Sequence, residues 1–321
     1  MTKIAYLFPG QGSQYIGMGK ELYNSFSECK RVFEEADESL HLKLSDKIFE
    51  GSKEELDRTE YTQPAIVTMS LAAYKAISRY DIKPHVTAGL SLGEYSSLTI
   101  SGVFSLSQVV PLVQKRGRFM QDAVPEGIGK MCAILGLSED KIREACDKAR
   151  EYGIVEPANF NCPGQIVVGG DTRAVEEAAN IAKELGALRC IYLDVSAPFH
   201  TKMLAAAADK LKAELDKVLL GEMRLPVISN VRADYINGVD EVKDLLYKQV
   251  MSSVLWEQTI RRMAEDGIRH FVEIGPGRTL SGFVKKIDRG LNIYQVENVA
   301  SLEETVSALD KKLNGNGEEY A

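Results

Sequence analysis

A chain of 321 residues, 45% hydrophobic and 26% charged, is long enough to bury a substantial core as one large domain or two smaller ones. No apolar run approaches the ~18 to 20 residues that cross a bilayer, and the apolar start, Met1 to Pro9, lacks a small-residue cleavage pattern, so neither a membrane span nor a secretory signal is expected. A net charge of −7 argues against nucleic acid as a partner, while five dispersed cysteines (Cys29, Cys132, Cys146, Cys162, Cys190) without a C-x-x-C pair argue against a disulfide framework or a metal site and fit reduced thiols in a cytosol.

The elements in chain order begin with a strand over 4–8 and a glycine-rich turn, Pro9-Gly10-Gln11-Gly12-Ser13-Gln14. Helices follow within 19–40 and 64–80, then a strand over 85–89 whose small and apolar residues predict a buried, parallel position. Helices near 93–100 and 106–122 complete an α/β rhythm. Between about 127 and 194 the order becomes strand 130–136, helix 139–150, strand 154–159, strand 165–169, helix 173–185 and strand 188–194, the split βαβ of ferredoxin-like units. Asn161-Cys162-Pro163-Gly164 supplies turn chemistry for the inner antiparallel pair. Past this inserted subdomain come a helix from about 203 to 219, a strand over 226–229, further helices, a strand over 269–274, and Gly275-Pro276-Gly277 opening a helix near 279–288. The expected domains are therefore 1–126 with 195–313, a small subdomain over 127–194, and a polar, flexible tail over 314–321.

Gly89-Leu90-Ser91-Leu92-Gly93 places a serine between two glycines where a strand turns into a helix, the pattern of a nucleophile elbow. A serine hydroxyl needs a base, and only four histidines exist. His85 begins the strand that leads to the elbow and so lies roughly 20 Å from Ser91 at ~3.3 Å per residue. His270 also begins a strand, and His41 reads as a solvated residue at a helix end. His200, in Ala197-Pro198-Phe199-His200, stands where a loop can return over the elbow; the plainer reading is a capping or packing histidine.

An oxyanion would take backbone N–H donors from Leu92 and from the Gly10-Gln11-Gly12 turn, provided that strands 4–8 and 85–89 are neighbours. The alternatives for that turn are a phosphate loop or a plain tight turn; Tyr15 stands where a dinucleotide fingerprint needs glycine. Lys115-Arg116-Gly117-Arg118 reads either as a solvated basic face or as a guanidinium fork for a substrate carboxylate.

Together these motifs resemble the malonyl-CoA:acyl carrier protein transacylases of fatty acid synthesis and their polyketide synthase relatives. The resemblance covers nearly the whole chain and rests on Phe8-Pro9-Gly10-Gln11-Gly12-Ser13-Gln14, Gly89-Leu90-Ser91-Leu92-Gly93-Glu94-Tyr95, Arg116, the run from Asn161 to Gly169, Ala197-Pro198-Phe199-His200, Gln249 near Trp256, and Glu273-Ile274-Gly275-Pro276-Gly277. It implies an α/β-hydrolase-like large domain with a largely parallel sheet, carrying a ferredoxin-like (βαββαβ) subdomain. It implies Ser91 as acylated nucleophile and His200 as its base, with the Gln11 and Leu92 N–H groups as oxyanion hole. Arg116 would bind the malonyl carboxylate, Phe199 would disfavour an α-methyl branch, Asn161 would belong to the substrate-binding residues, and Gln249 would support the site there, with a backbone carbonyl in that loop orienting His200.

The implied substrate is malonyl-CoA, with no bound cofactor and no metal; the partner is acyl carrier protein, and the enzyme is a cytoplasmic monomer without nucleic acid or membrane partners. Lys115, Arg118, Lys183 and Arg189 are candidate contacts for an acidic carrier. The chain departs from the family in having Leu90 where histidine is usual, and Ser253-Val254-Leu255-Trp256 where Pro-Val often precedes tryptophan. Two rivals remain: a serine esterase or thioesterase with Asp171 or Asp194 completing a triad, and a scaffold that kept the fold without turnover.

Overall fold

β1 (Ile4–Phe8) is buried at all five positions, with no apolar and polar alternation, which is the signature of a strand covered on both faces. The computed structural model describes residues 2–125, 127–195 and 197–314. After β1 the chain runs through α1 (Lys20–Ser25), α2 (Ser27–Leu40), α3 (Leu44–Glu50), α4 (Lys53–Leu56), α5 (Thr59–Ile77), β2 (Val86–Gly89), α6 (Gly93–Ile100) and α7 (Leu106–Gln121). Next come β3 (Gly129–Leu135), α8 (Glu139–Ala149), β4 (Val155–Cys162), β5 (Gln165–Asp171), α9 (Thr172–Glu184) and β6 (Arg189–Tyr192). The remainder is α10 (Ala205–Leu215), α11 (Val242–Gln249), α12 (Trp256–Glu265), β7 (His270–Ile274), α13 (Thr279–Ile287), β8 (Asn292–Val296) and α14 (Val299–Asn314).

The fold is α/β, with one parallel sheet and a separate antiparallel one. The parallel sheet has the order β2-β1-β7-β8, and the register Phe8↔Gly89 brings the C-terminal ends of β1 and β2 side by side. The loops after these two strands therefore leave the same sheet edge, as the sequence reading required. His85 and His270 stand at the opposite edge: His85 Nδ1 accepts the Ile4 N–H at 3.2 Å, and His270 pairs with the Tyr294 hydroxyl at 3.1 Å.

The antiparallel sheet has the order β4-β5-β3-β6, with all three pairs antiparallel. Its connectivity is the strand, helix, strand, strand, helix, strand sequence expected within 127–194. α8 buries Ile142, Ala145, Cys146 and Ala149, and α9 buries Ala174, Val175, Ala178, Ala179 and Ala182, two faces at helical spacing that close one core with Cys132, Ile134, Phe160 and Val168. Pro157 is tolerated inside β4 because β4 is an edge strand, with register shifts beside the proline. Residues 253–254 cover that edge: Val254 N–H donates to the Ala158 carbonyl and Phe160 N–H to the Val254 carbonyl, both at 2.9 Å. This parallel bridge gives the Ser253-Val254-Leu255 segment a definite path despite its departure from the family pattern.

The strand expected over 226–229 is an isolated parallel bridge, Thr87↔Val227, since Pro226 has no N–H to extend a ladder. The helix within 19–40 breaks at Phe26, whose backbone is extended, and the helix expected from 64 begins at Thr59. The helix over 203–219 narrows to α10 behind a short 3-10 turn. α3, α4, β8 and α14 add to the elements expected from the sequence. Of the polar tail over 314–321, Asn314 ends α14 and the rest lies outside the described residues.

The chain groups into two compact units, one of Met1–Gln114, Leu220–Ile228 and Arg261–Ala321, the other of Lys115–Leu219 and Ser229–Ile260. The first holds the parallel sheet and the second the antiparallel one. Among the described residues no helix is long and apolar enough to cross a membrane.

Candidate active site

In the first unit, the bend after β2 holds Ser91 at φ 52°, a left-handed conformation that costs a non-glycine residue about 1–2 kcal/mol. Local contacts hold it there. Leu90 N–H donates to the Phe8 carbonyl at 3.0 Å, Gly93 N–H to Leu90 at 2.9 Å, and Glu94 N–H to Ser91 at 3.1 Å. Two glycines are required by close approach: a Cβ on Gly89 would lie 1.9 Å from the Gly93 carbonyl carbon, and one on Gly93 would lie 2.1 Å from the Phe8 oxygen. Backbone is on the other side in both cases, so nothing yields cheaply. Gly89→Ala or Gly93→Ala should each destabilise the chain by at least about 3 kcal/mol, read as a lower urea midpoint. A midpoint equal to that of the parent chain would contradict this packing.

Gln11 lies in the turn after β1, which touches the elbow directly, since a Cβ on Gly10 would come within 2.6 Å of the Leu90 oxygen. Among the described residues, neither the Gln11 N–H nor the Leu92 N–H meets an acceptor. Both peptide groups therefore offer a donor close to the turn that presents Ser91.

In the second unit, His200 follows β6 in a tight turn, itself left-handed at φ 62° and 4% exposed. The Thr201 hydroxyl donates to the Pro198 carbonyl at 2.7 Å, and Lys202 N–H donates to Glu156 on β4 at 3.1 Å. His200 Nδ1 lies 2.8 Å from the backbone carbonyl of Gln249. A carbonyl only accepts, so Nδ1 carries the proton and Nε2 keeps its lone pair. Gln249, fully buried at the end of α11, also uses its side chain: Oε1 accepts from Arg116 Nη2 at 3.0 Å. Phe199 and Asn161 are buried in the same unit, in the His200 turn and on β4.

The Lys115-Arg116-Gly117-Arg118 stretch divides. Lys115 pairs with Glu214 and Arg118 with Asp122, both at the surface, whereas Arg116 is 1% exposed. The solvated-face alternative holds for Lys115 and Arg118 and fails for the buried Arg116. Glu273 is a further buried polar group in the first unit. Its carboxyl, buried at the end of β7, accepts the N–H groups of Leu280 and Ser281 and the Ser281 hydroxyl, fixing the start of α13. A lone acid in the apolar run Phe271-Val272-Glu273-Ile274 was the available signal.

Burial, and secondarily the Arg116 charge, lowers the His200 pKa from 6.5 to about 4, so the ring is neutral at neutral pH. The unfolded chain then binds this proton first, and stability is lost as pH falls from 6.5 towards 4. Glu273 has the opposite sign: burial raises its pKa from 4.5 to about 7, so stability is lost as pH rises across that window. Glu273→Gln removes only the second effect. The stability of this variant relative to the parent should therefore rise by about 3 kcal/mol between pH 4.5 and 7 in urea titrations; a difference independent of pH would contradict the burial of that acid.

The acyl transferase domain family matches residues 5–314. The malonyl CoA-acyl carrier protein transacylase of Bacillus subtilis (strain 168) is 47% identical over 317 residues, covering 98% of this chain and 100% of that protein. The crystal structure of the malonyl CoA-acyl carrier protein transacylase from Clostridium perfringens superposes with a TM-score of 0.95 at 45% identity, over 97% of this chain and 98% of that one. A second structure, 38% identical with a TM-score of 0.93 over 96% of this chain and 100% of that one, is a malonyl-transacylase in complex with a type II PKS acyl-carrier protein. An elbow serine, a buried neutral histidine and near full-length similarity to these enzymes make this chain a member of the acyl transferase family, within its malonyl CoA-acyl carrier protein transacylase branch.

Proposed function

We propose that the chain moves a malonyl group from malonyl-CoA to the phosphopantetheine thiol of acyl carrier protein, by a ping-pong route through a malonyl ester on Ser91. His200 Nε2 takes the Ser91 proton as the hydroxyl oxygen attacks the thioester carbonyl. The Gln11 and Leu92 N–H groups receive the oxyanion, worth about 3 kcal/mol each. Collapse breaks the carbon–sulfur bond, and coenzyme A leaves as a thiol with the proton from His200. The carrier thiol then gives its proton to His200 and attacks the ester, and Ser91 recovers its hydrogen. Arg116 holds the malonyl carboxylate through two parallel N–H bonds, Phe199 crowds an α-methyl branch, and Asn161 supports the acyl pocket.

The observation that carries this reading is the double use of Gln249, whose carbonyl orients His200 while its amide holds Arg116. One residue thereby couples the base to the cation that would recognise a carboxylate-bearing acyl group. The names of the relatives support the same donor and acceptor. The fold reading that accompanies it is an α/β-hydrolase-like domain over 1–126 and 195–313 with a ferredoxin-like subdomain over 127–194. The enzyme is read as a cytoplasmic monomer needing no bound cofactor, its carrier meeting exposed Lys115, Arg118, Lys183 or Arg189.

The esterase alternative needs a carboxylate on His200 Nδ1. That nitrogen meets a neutral carbonyl instead, and Asp171 accepts the Ile154 N–H at 2.7 Å. Incubation with malonyl-CoA, with and without holo carrier protein, separates the two. Malonyl carrier should accumulate with little free malonate; free malonate released at one rate in both arms would mean a hydrolase.

A further inference from the structure

Each peptide group flanking Gln11 is gripped by a side chain from two residues beyond that grouping. A trans peptide is planar, with C=O and N–H pointing opposite ways, so whatever fixes the Gly10 carbonyl also aims the Gln11 N–H. That grip is the Ser13 hydroxyl, which donates to the Gly10 carbonyl at 2.8 Å. The following peptide is fixed by Gln14: its Oε1 accepts the Gly12 N–H at 2.8 Å, and its Nε2 donates to Asp57 Oδ1 at 2.8 Å. Gly12, at φ 98°, supplies the left-handed residue that lets the turn close this way. The turn also packs closely on the elbow, where a Cβ on Gly10 would come within 2.6 Å of the Leu90 carbonyl oxygen.

The second donor is built on the same principle. The carbonyl of the peptide that carries the Leu92 N–H belongs to Ser91 and accepts from Glu94 N–H at 3.1 Å. There a helix supplies the anchor. In the turn after β1 no helix follows until α1 at Lys20, so side chains must supply it.

We infer that Ser13 and Gln14 are positioning residues for acyl transfer: by clamping the two peptides around Gln11 they hold its N–H in one direction before negative charge develops. A donor that is already aimed spends nothing on reorganisation during the reaction. This rests on the proposed acyl-transfer reading, because Gln11 must receive the oxyanion for its direction to matter.

The test uses the full chain with malonyl-CoA and holo carrier protein. Since deleting an oxyanion donor outright costs about 10²–10³-fold, misaiming it through Ser13→Ala or Gln14→Ala should lower kcat about tenfold, with KM for malonyl-CoA and the melting temperature unchanged. Ser13→Thr keeps the hydroxyl and should restore kcat to about the parent value. The clamp is refuted if Ser13→Ala and Gln14→Ala keep the parent kcat, or lose activity through KM or in step with the melting temperature, while Ser91→Ala is inactive. Persistent transfer by Ser91→Ala would instead overturn the acyl-transfer reading itself.

Discussion

Ser91→Ala is expected to lower malonyl transfer to carrier protein by about 10⁴-fold or more, and His200→Ala by a comparable factor. Removing both should cost little beyond either alone, because a base without its nucleophile has no proton to take. The melting temperature should hardly move, since the left-handed turn at φ 52° is kept by the Gly93 and Glu94 N–H bonds and by close backbone packing rather than by the serine hydroxyl. Discontinuous assay of radiolabelled malonyl carrier provides the range needed. Residual transfer within tenfold of the parent would remove Ser91 from the chemistry.

Arg116→Ala is the second large effect. Truncating a buried charge that pairs with its substrate costs 2–5 kcal/mol, so kcat/KM for malonyl-CoA should fall about 10²- to 10³-fold, while transfer of an acetyl group, which has no carboxylate, should persist or improve. Arg116→Lys should not restore malonyl transfer, because an ammonium cannot present two parallel N–H groups. Loss of the guanidinium also leaves Gln249 Oε1 without this donor and removes one of the two influences that lower the His200 pKa. The acid limb of kcat/KM should therefore move up from about 4 towards 6.5 in Arg116→Ala. Equal losses for malonyl and acetyl groups would show that Arg116 stabilises the site without selecting the acyl group.

What was legible in the sequence was whatever depends on spacing along the chain. The elbow glycines, the strand positions that remove His85 and His270 from contention, and the βαββαβ order within 127–194 all follow from local periodicity and turn chemistry. What escaped depends on contacts distant in sequence. Arg116 sits in a stretch that composition assigns to solvent, and its burial becomes visible only when α11 brings Gln249 against it, 133 residues later. The segment 226–229 has strand composition but a proline where a ladder needs an N–H. β8 is hard to read because its first three positions are exposed or half-exposed and Gln295 interrupts the apolar run, although the buried Leu302, Thr305 and Leu309 carry a helical spacing that marks α14. Glu273 and Ser13 were quoted as parts of motifs, but their work is hydrogen bonding to backbone, which no residue pattern displays.

The proposed reaction stores the acyl group as a covalent malonyl ester on Ser91 that a carrier thiol discharges. Intact-mass spectrometry after mixing the chain with malonyl-CoA should record one malonyl group per chain, mapped by peptide analysis to Ser91, absent from Ser91→Ala, and lost on addition of holo carrier protein as the carrier gains the same mass. An unmodified parent chain that nonetheless converts the carrier, or a malonyl group on another residue, would contradict it.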